Sequence, residues 1–178
     1  MLTYNEITEN DAIKTYIIRA DESLAALGFT EHSFAHVTHV AETAGYILKT
    51  LGHDERTVEL AKIAGYLHDI GNCVNRVDHA HSGAMLAYNI LKEMGYSDSD
   101  CDMVSNAAAL HDLGKIAIPN EIVSKYGLLS NKERSIMNKH TEYGKEILGS
   151  IDTEFMKIAA DIASEHHEHY DGSGNNGK

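Results

Sequence analysis

The sequence predicts an all-α fold, a helical bundle of about seven helices. Three observations carry that prediction. The 178 residues contain a single proline, Pro119, and proline is the residue a helix interior tolerates least. Apolar residues recur at helical spacing in one segment after another, several of them closed by a glycine. No stretch shows the period-two alternation of a half-buried strand.

The helices follow in order. Asp11 to Leu27 places Ile13, Ile17, Ala20, Leu24 and Leu27 on one face, with Gly28 as its stop. Ser33 to Leu51 repeats the pattern with Val37, Val40, Ala44, Ile47, Leu48 and Leu51, then Gly52. Asp54 caps a third helix, which carries Val58, Ala61, Ala64 and Leu67 and runs into His68-Asp69-Ile70-Gly71. A fourth spans about Ser82 to Met94 and stops at Gly95. A fifth opens at Asp98 or Ser99 and ends at His111-Asp112-Leu113-Gly114. Ile116 to Leu129 is non-periodic. Ser130-Asn131-Lys132-Glu133 then reads as a capping box before a sixth helix bearing Ile136, Met137, His140, Tyr143 and Ile147. A seventh runs from about Thr153 to His169, and the tail, about 170–178, is rich in Gly and Asn and expected to be loose. The length suits a single domain, 1–178.

The formal net charge is −12, with 27 acidic against 15 basic residues. Gripping a nucleic-acid duplex relies on Lys and Arg, so that class of partner is excluded. An anionic substrate remains compatible with the charge if bound cations reverse the local field. The opening residues MLTYNEITEN do not resemble a signal peptide, and no apolar run approaches membrane-spanning length. A cytoplasmic protein with Cys73 and Cys101 as free thiols is expected.

The twelve histidines stand out, and they are ordered. A shift of 43 residues places His36 on His79, Ile47-Leu48-Lys49 on Ile90-Leu91-Lys92, Gly52 on Gly95, and His68-Asp69-Ile70-Gly71 on His111-Asp112-Leu113-Gly114, without a gap. The repeat covers about 36–72 and 79–115. Each copy is a helix led by histidine, then a helix ending in Leu-His-Asp-aliphatic-Gly. Adjacent residues on a helix diverge by about 100°, so a His-Asp pair converges on one point mainly at a helix end. An imidazole beside a carboxylate is a mixed N/O pair suited to Mn, Fe, Ni or Zn. An aspartate in an apolar setting is costly without a cation.

In this order of residues the chain resembles the HD superfamily of metal-dependent phosphohydrolases, from about Asp21 to Gly174. HSFAHVTHVAETAGYIL and ELAKIAGYLHDIGN look like the first two ligand helices of HD domains, and NRVDHAHSGAMLAYNILKEMGY is similar to one bacterial HD subfamily. LHDLGKIAIPNEIVSKYGLLSNKERSIMNKHTEYGKEIL and ASEHHEHYDGSG resemble another branch, the HD-GYP proteins. The residues matching that branch are His111, Asp112, Gly114 and Lys115, then His140 to Gly144, then His166, His167 and Glu168. The branch continues with Asp-Gly-x-Gly-Tyr-Pro. Here Asp171-Gly172-Ser173-Gly174 is followed by Asn175-Asn176, and the branch's further aspartate has no counterpart within the 178 residues.

Two ligand registers result. One uses His36, His68, Asp69, His79 and His111, with Asp161 as a weak closing acid. The other uses His79, His111, Asp112, His140, His166 and His167, with Lys115 near the phosphate. Both are complete in one compact domain only if helices are shared. His79 is preferred over His81 because it stands four before Gly83, as His140 stands four before Gly144. His32 reads as a spectator or an extra ligand, His39 as partly exposed filler or a group that orients substrate, His53 and His169 as surface residues, and Cys73 as a packing residue. DGSGNNGK is not a P-loop and HHEHY is not a zincin motif.

The resemblance implies hydrolysis of a nucleotide or other small phosphate ester by a metal-activated water. It implies one or two divalent ions (Fe, Mn, Ni or Zn, with Mg open), a bridging Asp69 or Asp112, and Lys115 against a phosphate oxygen. In the second register the implied substrate is a cyclic dinucleotide. A non-catalytic metal- or nucleotide-binding signalling module stays open beside it, as does a homodimer in which a second copy supplies a closing helix.

Overall fold

The computed structural model describes residues 3–26, 34–76, 78–125 and 127–167, without the Glu154 side chain. Every regular element among them is helical. No helix among the described residues is long and apolar enough to cross a membrane. The chain divides into two compact units, Met1–Ala109 and Leu110–Lys178.

In the first unit α1 (Tyr4–Glu9) has no counterpart in the sequence reading. It is one turn and a half long, too short to show an apolar period. A capping box of Thr3 and Glu6 opens it, and Tyr4 and Ile7 are buried. α2 (Asp11–Ala26) buries Ile13, Ile17, Ala20 and Leu24, four of the five residues expected on its inner face. The fifth, Leu27, and the Gly28 stop lie outside the described residues. α3 (Phe34–Thr50) packs along α4 (Glu55–Leu67). Their backbones meet at Gly65, where an added Cβ would stand 3.0 Å from Ala41 Cα and N. This small-residue contact lets the helix carrying His36 lie close to the helix ending at His68. Asp54 caps α4 as expected, its Oδ1 accepting from the backbone N–H of Arg56 and Thr57. Gly52 and Gly95 hold the left-handed conformation, φ +84° and +88°, that stops α3 and α5 (His79–Glu93). α5 begins three residues before the expected Ser82, which brings His79 into its first turn. α6 (Asp98–Leu110) follows.

The second unit opens with a 3-10 turn, Leu113–Ala117, and a one-turn helix, α7 (Asn120–Val123). The capping box at Ser130 and Glu133 forms as expected and starts α8 (Asn131–Met137). The single helix expected from there to Ile147 is two: α8 ends at Met137 and α9 (His140–Gly149) begins at His140. The break has a local cause. The His140 ring reaches back to the Met137 carbonyl at 2.6 Å, and the Thr141 hydroxyl donates to the Asn138 carbonyl at 3.1 Å. These side chains satisfy carbonyls near the end of α8. α10 (Glu154–Glu165) starts at the N-cap Thr153 as expected. Leu148, Ala159, Ala160 and Ala163 form the core between α9 and α10, covered by Leu110, Leu113, Phe155 and Met156. Among the described residues ten α-helical segments thus stand where about seven were expected, the extra ones being α1, α7 and the half created by the break.

Candidate metal centres

The His-Asp pairs are placed by the same turn in each unit. α4 ends at His68, and Asp69 (φ −101°, ψ 1°) turns the chain into the 3-10 segment Ile70–Cys73. In the second unit Asp112 (φ −99°, ψ 7°) turns it into Leu113–Ala117. Each turn rests on the start of a following helix through glycines. A Cβ on Gly71 would collide with the His79 carbonyl and the Gly83 backbone N. A Cβ on Gly114 would collide with the His140 carbonyl and the Gly144 backbone N. The elements His-Asp-x-Gly and His-x-x-x-Gly therefore form one packed module, present twice. Its sequence signal is the glycine four residues after His79 and after His140.

In the first unit four predicted ligands converge. Asp69 Oδ2 lies 3.6 Å from His36 Nε2 and 3.2 Å from His68 Nε2, and Asp69 Oδ1 lies 3.5 Å from His79 Nε2. The His36 and His68 Nε2 atoms are 3.3 Å apart. His68, Asp69 and His79 are buried, and His36 is half-buried. The neighbouring histidines sit differently: His81 is exposed and paired with Asp78 at 2.6 Å, while His39 and His53 are half-buried. His32 lies outside the described residues.

In the second unit Asp112 is the hub. Its Oδ1 lies 3.3 Å from His140 Nε2 and 3.7 Å from His166 Nε2. Its Oδ2 lies 3.5 Å from His111 Nε2 and accepts a hydrogen bond from Lys115 Nζ. His140 and His166 approach Nε2 to Nε2 at 3.2 Å, and the His167 ring lies beside them, tilted by 43° to the His166 ring at 4.1 Å between centroids. His140, His166 and His167 each offer a nitrogen to a common point. Asp161 is half-buried on α10, and Glu168 and His169 lie outside the described residues.

Ring orientation decides what these groups can bind. His68, His79, His140 and His166 each place Nδ1 on the backbone carbonyl three residues earlier, at Gly65, Arg76, Met137 and Ala163, over 2.7, 3.0, 2.6 and 2.9 Å. A carbonyl can only accept, so Nδ1 carries the proton and Nε2 keeps its lone pair. Those lone pairs then point at one another and at carboxylate oxygens, all acceptors. Acceptors brought this close out of water require a cation among them. The donor set, several neutral imidazoles and one carboxylate, fits a divalent transition metal, and the carbonyl-anchored rings are the outer-sphere support such ligands have. Burial, followed by the charge of His166, lowers the His140 pKa to about 4. Burial holds His167 well below the usual histidine range. Both effects favour the neutral, metal-binding ring.

One residue at the first centre escaped the sequence reading. Asn72 Nδ2 donates to the Asp69 carbonyl and to Asp69 Oδ1, both at 3.0 Å. Its signal was the 43-residue shift, which places it on Lys115.

Comparison with known proteins gives a consistent picture. An HD domain family profile matches residues 72–178, and another HD domain profile matches residues 33–106. A 140-residue region is 40% identical to a cyclic di-GMP phosphodiesterase response regulator of Xanthomonas campestris, covering 79% of this chain and 26% of that protein. A 60-residue region is 50% identical to 3'3'-cGAMP-specific phosphodiesterase 2 of Vibrio cholerae, covering 34% of this chain and 12% of that protein. Another 60-residue alignment is 43% identical to a cyclic di-GMP phosphodiesterase of Thermotoga maritima, covering 34% of this chain and 16% of that protein. The chain spans between 12% and 26% of the length of these relatives.

Proposed function

The chain belongs to the HD domain family, and we propose from that premise that it is a metal-dependent phosphohydrolase whose hydrolytic centre is built on Asp112. The observation that carries the reading is the convergence of His111, Asp112, His140 and His166 with Lys115 on the same carboxylate. His111, Asp112, His140, His166 and His167 would hold the metal. Asp112 turns Oδ1 to two histidines and Oδ2 to a third, so one carboxylate can serve two cations. Fe, Mn, Ni or Zn suits the imidazole-rich set, with Mg the weaker match. Such ions supply a hydroxide at neutral pH and shield phosphate charge.

The chain's own residues do the rest. The carbonyl-bound rings of His140 and His166 fix the direction of their lone pairs. Asp112 and its histidines, largely withdrawn from water, strengthen every charge interaction at the centre. Lys115 is half-buried and reaches the carboxylate. From there its ammonium can meet a non-bridging phosphate oxygen as charge develops. The substrate class is a nucleotide-type phosphodiester, with a cyclic dinucleotide as the specific proposal because the relatives named above act on cyclic dinucleotides. The acidic chain suits a small phosphorylated substrate rather than a duplex, and the two free thiols suit a reducing cytoplasm. A second reading, metal and nucleotide binding without turnover, is favoured by Asn175-Asn176 standing where the HD-GYP branch has Tyr-Pro.

The test is hydrolysis of cyclic di-GMP and of bis(p-nitrophenyl) phosphate by protein reconstituted with Mn, Fe, Ni or Zn. Turnover is expected, with Asp112→Asn lowering it by roughly a hundredfold or more at unchanged helicity. Full activity in Asp112→Asn would remove this centre from the chemistry. Tight binding of metal and nucleotide with no turnover under any metal selects the second reading.

A further inference from the structure

The 3-10 turn Leu113–Ala117 presents one large side chain that the Asp112 centre does not use. Ile116 is 80% exposed, although it follows directly on Lys115. This is not the exposure of a free loop. The backbone N–H of Lys115 donates to the Asp112 carbonyl at 2.9 Å, and that of Ile118 donates to the Lys115 carbonyl at 3.0 Å. Lys115 Nζ donates to Asp112 Oδ2 before Ile116, and Ile118 is buried after it. Ile116 is therefore held out in water between two anchored residues. The turn itself does not require this. In the matching turn of the first unit, Ile70–Cys73, the position 43 residues earlier is Cys73, which is smaller and half-buried. An aliphatic side chain held in water gains stabilisation when an apolar surface covers it.

We propose that Ile116 is the nucleobase contact of the Asp112 centre: with the phosphate at Lys115, a purine face of the nucleotide covers Ile116. The phosphate position rests on the hydrolytic reading above. Successive residues of a 3-10 turn diverge by about 120°, and residues three apart share a side. Asp112 and Lys115 share one side, and their hydrogen bond joins them there. Ile116 comes one residue later, so an ammonium and an aliphatic side chain stand next to each other on a fixed turn. A nucleotide has the same order, an anionic phosphate and then, across the sugar, a base with an apolar face. Sites for such ligands combine a few placed polar groups with apolar lining, and apolar side chains stack on bases. A phosphate without a base would leave Ile116 uncovered. The contact therefore favours nucleotides over base-free phosphate esters at this centre.

The test uses the full chain loaded with manganese, as wild type, Ile116→Ser and Ile116→Met. Because the side chain is exposed, both variants should keep wild-type helicity and manganese content. Should Ile116→Ser lose either, Ile116→Thr replaces it. Calorimetry reads the affinity for GMP and for ribose 5-phosphate, the same sugar phosphate without a base. Wild type is expected to bind GMP about tenfold or more tighter than ribose 5-phosphate. Ile116→Ser should erase most of that preference and leave the affinity for ribose 5-phosphate unchanged, while Ile116→Met keeps the preference. A wild type without the preference, an Ile116→Ser variant with it intact, or an equal loss for both ligands each overturns the proposal. Turnover of bis(p-nitrophenyl) phosphate, which carries no nucleobase, and its loss in Asp112→Asn test the hydrolytic reading apart from the contact. Turnover without the preference removes the contact alone. The preference without turnover keeps the contact, on a centre that binds and does not hydrolyse.

Discussion

In residues 1–109 the aspartate of the His-Asp pair is held by an amide, Asn72, whereas in residues 110–178 the equivalent aspartate is held by an ammonium, Lys115. The turns beneath them are nearly the same. Asp69 and Asp112 share φ and ψ to within a few degrees, and Gly71 and Gly114 meet the same backbone atoms of the next helix. The ligand rings are anchored by the same Nδ1 contact to the third carbonyl back. The difference lies in which charge stands beside the metal-binding carboxylate. Backbone geometry fixes where ligands can be, and one side chain on that geometry sets what else the centre can hold.

The shared turn is the part of this comparison easiest to break. Gly71→Ala and Gly114→Ala each force a methyl into a backbone carbonyl, so each should destabilise its unit by about 3 kcal/mol or more. Denaturant titration of the metal-free protein checks this. A cost under about 1 kcal/mol at either glycine would show that the two turns do not share the same packing.

The next effect is a pH dependence of the second unit's stability. In the unfolded chain His140 takes a proton near its ordinary 6.5, but in the fold only near 4, because burial and then the charge of His166 oppose it. Between those values the unfolded state binds more protons, so stability falls as pH falls from about 6.5 to about 4 and levels below that. The loss attributable to this ring is of order 3 kcal/mol or less. Melting curves in chelator across that range should show the decline, and His140→Gln should flatten it. An unchanged slope in His140→Gln would place the proton-linked strain elsewhere.

The smallest effect tests the entry to the second centre. Ser130→Ala removes the cap that opens α8 and should cost about 1 kcal/mol, seen as a modest drop in melting temperature with metal content unchanged. Loss of metal in that variant would mean that α8 helps to hold His140.

Much of this was legible in the residues. Left-handed glycines at 52 and 95, the caps at Asp54 and Ser130, and the apolar faces of α2 to α4 all follow from local chemistry, which acts within a few residues. The 43-residue shift identified the two His-Asp ends and, through the glycine four residues on, singled out His79 and His140. The break between α8 and α9 was not legible, because the periodicity of Ile136, Met137, His140 and Tyr143 continues across it. The ring of His140 on the Met137 carbonyl and the hydroxyl of Thr141 on the Asn138 carbonyl explain the interruption. Asn72 was passed over because an amide carries no ligand signature until its partner is in view.

By itself the sequence determined the all-α class, the order of the helices and the inventory of imidazoles and carboxylates, since propensity, capping and period are local. Tertiary structure decided which nitrogen of each ring faces which oxygen, and that Arg76 reaches the amide holding Asp69. Those outcomes depend on how closely helix ends pack, here through Gly65 against Ala41 and Gly71 and Gly114 against the next helix. Close packing of that kind is a property of residues far apart in the chain, which no spacing along it can state.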